Sequence, residues 1–234
     1  MHPELAGDHH VHSTFSDDAV STLDENVAAA RAAGLAELRL VDHVRVDTTW
    51  VPEFLAAVDA LEVPEGLTVL TGVEAKILDA TGALDIPPRL PRVDRILMAD
   101  HQFPGTDGPW SPTATVERLA RGLSTDDALD LLVEGLIGAM RRHPGNQLAH
   151  CFSILPKVGL DESQLGPERL RAWAETAAAT DTLVEVNEKW ACPGRAAIAA
   201  ARAAGVRLVA STDAHVASDV GRYDRVAALL KEDA

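Results

Sequence analysis

The feature of this sequence that most constrains its fold is an alternation of short apolar runs with longer segments rich in Ala, Leu and Glu. The longer segments are typical of helices, and the short runs have the length and composition of buried strands. Strands that alternate with helices along a chain form a parallel sheet that the helices cover. The predicted strands are 7–12, 35–42, 67–74, 92–100, 147–150, 181–187 and 206–212.

The helix boundaries are clearest in the segment 23–33. Thr22 and Glu25 form the pattern of a capping box before this helix, and Gly34 is placed to end it. A longer helical region, 113–142, is predicted to be two helices that meet near the sequence GLSTDD. The last predicted helix is 223–232.

The chain has 234 residues, which is long enough for one large domain with a sizeable core. Because no shift in composition divides it, residues 1–234 are predicted to form one domain. Two stretches rich in turn residues, 102–112 and 155–167, are expected to be irregular loops that cover a bound substrate.

The charge of the chain narrows its possible partners. A formal net charge of −15 disfavours nucleic acid and anionic membranes, since both need a basic surface on the protein. Cys151 and Cys192 form neither a disulfide framework nor a CxxC pair. No signal peptide or membrane-spanning run is visible, so the expected location is the cytoplasm.

Histidines and carboxylates follow the predicted strands, at the edge where parallel α/β proteins assemble their active sites. His10 and His12 are two positions apart, which places both side chains on one face of a strand. Asp213 and His215 repeat this spacing after the last strand. The other residues that end a run are His43, Glu74, His101 and His150. Such groups, brought to one point, need a cation between them, and imidazole with carboxylate suits zinc, iron or manganese.

Six short motifs follow one another along the chain. The first is DHHVHS with SDD behind it, at 8–13 and 16–18, in a form that matches D-x-H-x-H-S followed by S-D. The others are VDH at 41–43, GVE at 72–74, ADH at 99–101, AH at 149–150 and STDAH at 211–215. Taken together and in this order, the motifs resemble those of the PHP (polymerase and histidinol phosphatase) superfamily over the whole chain.

The resemblance implies an α/β fold, a distorted (β/α)7 barrel similar to a TIM barrel, that holds two or three divalent metal ions. Glu74 resembles the carboxylate that bridges two of these metals. Glu74, Asp213 and His215 are also the expected catalytic residues. The implied metal ligands are His10, His12, Asp17, His43, Glu74, His101, His150, Asp213 and His215.

Some positions beside these motifs need their own interpretation. Asp17 matches the S-D motif better than Asp18, although a shift of the loop would exchange them. Asp8 is expected to hold a histidine tautomer. His9 is expected to point to the other side of its strand, away from the metals. Asp100 departs from the family pattern, which usually has a small residue there.

The resemblance further implies hydrolysis of a small phosphate ester, as in a histidinol phosphatase, by a hydroxide that bridges two metals. The sequence has no nucleophile elbow, P-loop or dinucleotide motif. Cations just beyond the strand ends are candidates for binding the phosphate of a small metabolite. These residues are Arg45, Lys76, Lys189 and Arg222. The alternatives are a PHP-type nuclease or proofreading module, and an amidohydrolase-like enzyme that cleaves a C–N bond.

Overall fold

The computed structural model describes residues 3–231, apart from the side chain of residue 231. Its strands are β1 (Gly7–Val11), β2 (Glu37–Val44), β3 (Thr68–Lys76), β4 (Arg95–Ala99), β5 (Phe103–Gly105), β6 (Gly108–Trp110), β7 (Gln147–Ala149), β8 (Leu183–Asn187) and β9 (Leu208–Ser211). Within the described residues, seven parallel strands form one sheet in the order β1-β2-β3-β4-β7-β8-β9. A parallel bridge between Val11 and Ala214 brings the two edges of this sheet together. The predicted distorted (β/α)7 barrel is therefore confirmed.

Helices follow most strands of the barrel. They are α1 (Leu23–Ala33), α2 (Val51–Asp59), α3 (Pro112–Ala120), α4 (Thr125–Arg142), α5 (Gly166–Ala179), α6 (Arg195–Ala203) and α7 (Arg225–Lys231). The separation of α3 from α4 confirms the two helices predicted within 113–142. The predicted last helix corresponds to α7, and its final position, 232, lies outside the described residues. No helix within residues 3–231 is long and apolar enough to cross a membrane.

The first helix begins and ends where the sequence predicts. The Thr22 side chain accepts a hydrogen bond from the backbone of Glu25, and the Glu25 carboxylate accepts one from the backbone of Thr22 at 2.8 Å. Gly34 follows with φ = 72°, a left-handed conformation that glycine adopts without steric cost. These contacts fix the path of the chain from β1 to β2.

The stretch 102–112, predicted to be irregular, contains the antiparallel hairpin β5–β6 instead. The buried rings of Phe103 and Trp110 stack across this hairpin with centroids 6.0 Å apart. A Cβ on Gly105 would lie 2.1 Å from the Trp110 ring, so a glycine is needed beneath it. The pairing depends on packing between the two rings, which a three-residue strand does not reveal in its sequence pattern.

A small apolar cluster inside the barrel packs beneath the carboxyl ends of the strands. It consists of Val41, Leu97, Ala99 and Ala149, none of which is exposed. Side chains two positions apart on a strand share a face, so Val41 lies on the same face as His43. The polar residues that follow these strands are thereby held above a close-packed layer that excludes water from below.

Candidate metal centre

The structure brings together eight of the nine ligands that the resemblance implies. Their donor atoms fall into four overlapping groups, and within each group the atoms lie within 4.8 Å of one another. The groups are His12–His43–His215, His10–Glu74–His150, His10–His12–Asp213 and His43–Glu74–His101. Because the groups share members, they describe one continuous centre at the carboxyl ends of the strands.

Glu74 lies in the middle of this centre and is 1% exposed. Its Oε1 atom lies 3.0 Å from Nε2 of His101 and 2.9 Å from Nε2 of His150. Its Oε2 atom lies 3.0 Å from Nδ1 of His43 and 3.3 Å from Nε2 of His10. Each carboxylate oxygen thus faces a different set of imidazoles, and His12 also lies 3.5 Å from Oε2.

Two further observations test whether these residues fit a metal. Oε2 of Glu74 is buried and accepts no hydrogen bond from the described residues, although imidazole nitrogens lie close to it. Nε2 of His10 and Nε2 of His12 face each other at 3.0 Å. Several donor atoms thus converge on one small volume, as ligands around a cation do, and the donor set of imidazole and carboxylate suits zinc, iron or manganese.

Asp213 and His215 enter the centre from the end of β9. Oδ1 of Asp213 lies 3.2 Å from Nε2 of His12 and 3.5 Å from Nδ1 of His215. The other oxygen, Oδ2, accepts a hydrogen bond of 2.9 Å from the indole nitrogen of Trp190. Asp213 has φ = 55°, a left-handed conformation that is uncommon outside glycine and is found often at functional sites.

Asp18, rather than Asp17, carries the carboxylate nearest the imidazoles. Its Oδ2 atom lies 3.3 Å from Nε2 of His215 and 3.5 Å from Nε2 of His43. Asp17 and Asp18 both line the cavity and neither belongs to the four groups, so the ion-pair distances distinguish them. Burial opposes ionisation of Asp18, but His43 and His215 outweigh it and lower its pKa. The geometry favours the alternative in which the loop shifts by one residue.

Glu185 orients His10, and the sequence analysis missed it. Both side chains are fully buried, and Nδ1 of His10 donates to Oε2 of Glu185 at 3.0 Å. The same carboxylate accepts hydrogen bonds from Gln147 at 2.9 Å, Asn187 at 2.6 Å and the backbone of His150 at 3.2 Å. Its only signal in the sequence is one acidic residue inside the otherwise apolar strand LVEVN.

A carboxylate acting through a serine orients His150. The Ser153 hydroxyl donates to Oδ1 of Asp100 at 3.0 Å, and Nδ1 of His150 lies 3.1 Å from that hydroxyl oxygen. Nδ1 of His150 must therefore donate to the serine, which leaves Nε2 free to face Glu74. The departure from the family pattern at Asp100 thus has a structural role beneath the centre.

The same arrangement orients His12 on the other side. Nδ1 of His12 lies 3.3 Å from the hydroxyl of Ser16, which donates to Oδ1 of Asp42 at 2.6 Å. Ser13 donates to the second oxygen of Asp42 at 2.6 Å. His12 is consequently fixed with Nε2 toward the centre.

The charges of the centre depend on each other. Burial alone would raise the pKa of Glu74, but the imidazoles of His101 and His10 outweigh it and lower the pKa well below its usual value. Burial alone would lower the pKa of His150, but Asp100 and Glu74 outweigh it and raise the pKa to about 10. Without a metal, the centre therefore holds protons in the places that a cation would take.

Asp8 does not hold a histidine, contrary to the expectation from the sequence. Its carboxylate accepts hydrogen bonds from the hydroxyl of Thr212 at 2.6 Å and from the backbones of Thr212 and Gly221 at 3.0 Å. The register of β1 is irregular between Asp8 and Val11, so simple alternation along the strand does not place this side chain. Asp8 ties β1 to the segment after β9 instead.

His9 takes no part in the four groups. Its Nε2 atom lies 3.6 Å from Glu37, and the side chain lines a cavity at the amino ends of the strands. Burial, with the nearby charge of Arg39, lowers its pKa to about 4. His9 is thus directed away from the metal centre, at the opposite end of the barrel.

Three of the four predicted phosphate-binding cations line the cavity above the centre. This cavity has a volume of about 300 Å³, and its walls include Arg45, Lys76 and Lys189. Nζ of Lys189 lies 3.4 Å from Oδ2 of Asp213. Arg222 lines a neighbouring cavity of about 280 Å³ that shares Lys189, Asp213 and His215 with the first.

The comparisons with known proteins agree with this geometry. The model of the PHP domain family matches residues 8–189. The chain is 28% identical over 236 residues to a "Probable phosphatase" of Caldanaerobacter subterraneus subsp. tengcongensis, covering 99% of this chain and 85% of that one. It is 29% identical over 239 residues to a "Probable phosphatase" of Pectobacterium carotovorum, covering 96% and 84%.

A solved structure shares the fold. The crystal structure of histidinol phosphate phosphatase from Lactococcus lactis, complexed with zinc, L-histidinol and phosphate, superposes with a TM-score of 0.68 at 16% sequence identity. The match covers 97% of this chain and 92% of that one. At this identity the likeness establishes the barrel and its topology.

Proposed function

This chain belongs to the PHP domain family, and we propose that it is a metal-dependent phosphatase that hydrolyses a small phosphate ester. One observation carries the proposal: the two oxygens of buried Glu74 lie 2.9–3.5 Å from five imidazole nitrogens. The relatives, which are probable phosphatases, and the histidinol phosphate phosphatase with the same fold support this activity.

The four ligand groups would hold two or three divalent ions, with zinc, manganese and iron as the candidates. When bound, these ions would supply Lewis-acid charge to the phosphoryl oxygens and lower the pKa of water to near 7. Glu74 would serve as a ligand through both of its oxygens, since Oε1 faces His101 and Oε2 faces His43. The buried carboxylates beneath keep the imidazoles of this centre in position.

The substrate phosphate would lie between the metal centre and the cationic wall. Arg45, Lys76 and Lys189 can form charge-assisted hydrogen bonds to phosphate oxygens that face away from the metals. Lys189 lies 3.2 Å from Nδ1 of His215, and this pair is placed to give a proton to the departing alkoxide. These cations would compensate the charge of one phosphate group.

A small phosphorylated metabolite fits this site better than a polymer. The cavity of about 300 Å³ has room for one phosphate and a compact leaving group. The net charge of −15 repels a long phosphate chain, and the local cations offset it only within about 8 Å. The whole charge of a small substrate would lie within this distance of the cations.

The test compares phosphoester substrates with the protein loaded with zinc, manganese or iron. The substrates are p-nitrophenyl phosphate, histidinol phosphate, nucleoside monophosphates and single-stranded DNA. We expect a small phosphomonoester to be hydrolysed fastest and His10→Ala to abolish the reaction. Faster cleavage of DNA ends than of every small ester would identify a nuclease. Hydrolysis of C–N bonds alone would identify an amidohydrolase-like enzyme.

A further inference from the structure

We propose a second binding site, for the phosphate or carboxylate group of a small molecule, at the amino ends of the strands. A cavity of about 860 Å³ opens at this end of the barrel. Its walls come from the first residues of several strands, including Gly7, Glu37, Arg95, Leu183 and Leu208. The metal centre lies at the carboxyl ends, so the barrel separates the two sites.

Arg39 is the residue that points to a ligand here. Its side chain lines the cavity, and the residue is 3% exposed. Nη1 donates to the backbone oxygen of Thr71 at 3.3 Å, while the buried Nε has no partner among the described residues. A buried guanidinium is costly unless an anion or several acceptors satisfy it. Arg39 is therefore a charged group in the cavity wall whose hydrogen-bonding capacity the described residues satisfy only in part.

Arg95 places a second positive charge beside the first. Its charge adds to burial, the larger cause, in lowering the pKa of Arg39 to about 10. Within residues 3–231, no carboxylate oxygen lies within 4.0 Å of a guanidinium nitrogen of Arg39 or Arg95. Two neighbouring guanidinium groups that share no counter-ion form a fork suited to an oxyanion.

Asp94 and Glu37 partly offset the positive charge of this pair, although among the described residues neither forms a close ion pair with it. Asp94 accepts hydrogen bonds from the backbone and hydroxyl of Thr71 at 2.7 and 2.9 Å. Glu37 faces His9 at 3.6 Å. Of the remaining charged groups of the wall, Arg202 lies 3.9 Å from Glu4 in the same wall, and Arg207 lies 3.1 Å from Asp181 outside it.

The balance of charge in this wall differs from that of the whole protein. The wall has four arginines, Arg39, Arg95, Arg202 and Arg207, and three carboxylates, Glu4, Glu37 and Asp94. The chain as a whole has 36 acidic and 21 basic residues. Once Arg207 is paired with Asp181, the charges of this wall are nearly balanced, so in an acidic protein this cavity opposes the approach of a small anion less than the surrounding surface does.

The experiment titrates the metal-loaded protein with inorganic phosphate in a calorimeter at constant ionic strength. We expect two binding events. Arg95→Gln and Arg39→Met should each weaken one event at least tenfold and leave the inhibition of phosphatase activity by phosphate unchanged. Arg121→Gln serves as the matched control. Arg121 directly follows α3, its side chain is 77% exposed, and it pairs with Glu117 on the protein surface. The control should leave both events intact.

Lys189→Met provides the reciprocal variant, since it should weaken only the other event, at the metal centre. A single phosphate-binding event with the same affinity in the wild type, Arg95→Gln and Arg39→Met would overturn the proposal. If Arg39→Met does not fold, as judged by circular dichroism, Arg95→Gln decides alone, because Arg95 is only partly buried. The titration does not require turnover, so it stands even if the proposed phosphatase activity is wrong.

Discussion

Oε2 of Glu185 lies 3.0 Å from Nδ1 of His10, and neither side chain reaches solvent. A carboxylate in this position fixes the ring so that Nε2 faces the metal centre, and it raises the basicity of that nitrogen. We predict that Glu185→Gln lowers metal affinity about 10–100-fold, as is usual when such a partner is lost. Competition with a chelating dye measures this affinity. Glu134→Gln, on the exposed face of α4, is the control and should bind metal as the wild type does.

The central ligands should be far more sensitive than their neighbour His9. His10→Ala, Glu74→Ala and Asp213→Ala are each expected to abolish phosphoester hydrolysis while the barrel stays folded by circular dichroism. His9→Ala should be much milder, because His9 lines the cavity at the other end of the barrel. Equal losses in His9→Ala and His10→Ala would contradict this assignment of the two neighbours.

Metal uptake should release protons. In the metal-free protein, Glu185 and Glu74 outweigh burial and raise the pKa of His10 well above its usual value, and the pKa of His150 is about 10. Both rings are therefore protonated near pH 7 and must lose a proton to bind a cation. The apparent affinity should increase from about pH 6 to pH 8. His12, whose pKa burial lowers to about 3, adds nothing to this release.

Calorimetry in buffers of different ionisation enthalpy counts these protons. We expect at least one proton to be released for each protein molecule loaded at about pH 7.5. An observed enthalpy that is independent of the buffer would show that His10 and His150 are already neutral in the metal-free protein.

The cations around the cavity should differ in importance. Arg45→Gln, Lys76→Met and Lys189→Met are expected to lower kcat/KM by an amount worth about 1.5–3 kcal/mol wherever the side chain bonds directly to the phosphate. Arg222→Gln should have a smaller effect, since Arg222 lines the neighbouring cavity. Steady-state kinetics with the best small ester provide the comparison. A larger loss of kcat/KM in Arg222→Gln than in all three other variants would show that the phosphate binds in that second cavity.

Gly138 in α4 should resist replacement by alanine. Alanine normally stabilises the interior of a helix by up to about 1 kcal/mol relative to glycine. Here a Cβ would lie 2.4 Å from the backbone oxygen of Thr81, so the loop after β3 would have to move. We expect Gly138→Ala to lower the free energy of unfolding by about 1–3 kcal/mol in urea denaturation. Glu134→Ala, on the exposed face of the same helix, should be nearly neutral.

The sequence predicts the barrel, and the meeting of ionisable side chains at its strand ends, because both depend on simple periodicities. The strand ends of a parallel sheet meet at one edge, so the sequence alone predicts that His43 and Glu74 lie close together. The structure places their facing atoms 3.0 Å apart. The capping box at Thr22 is a local pattern, and such patterns do not depend on the rest of the fold.

The features that the sequence did not predict depend on contacts between distant segments. Glu185 is one acid in an apolar strand, and only the position of His10 gives it a partner. Asp8 was expected beside a histidine, but the irregular register of β1 turns it toward Thr212. The β5–β6 hairpin forms because Phe103 and Trp110 pack together, and its strands are too short to show a period.

The seam of the barrel, where β1 meets the segment after β9, has a consequence for the synthesis of the protein. Asp8 and Thr212 join across this seam from 204 positions apart, and His12 meets Asp213 there at 3.2 Å. During synthesis, the histidines of β1 leave the ribosome long before their partners on β9 exist. Full loading with metal would therefore follow translation of β9, because the donor set combines side chains of β1 with those that follow β9. A nascent or truncated product that lacks β9 would retain only part of the donor set, so tight retention of metal would mark a chain in which β9 has joined the barrel.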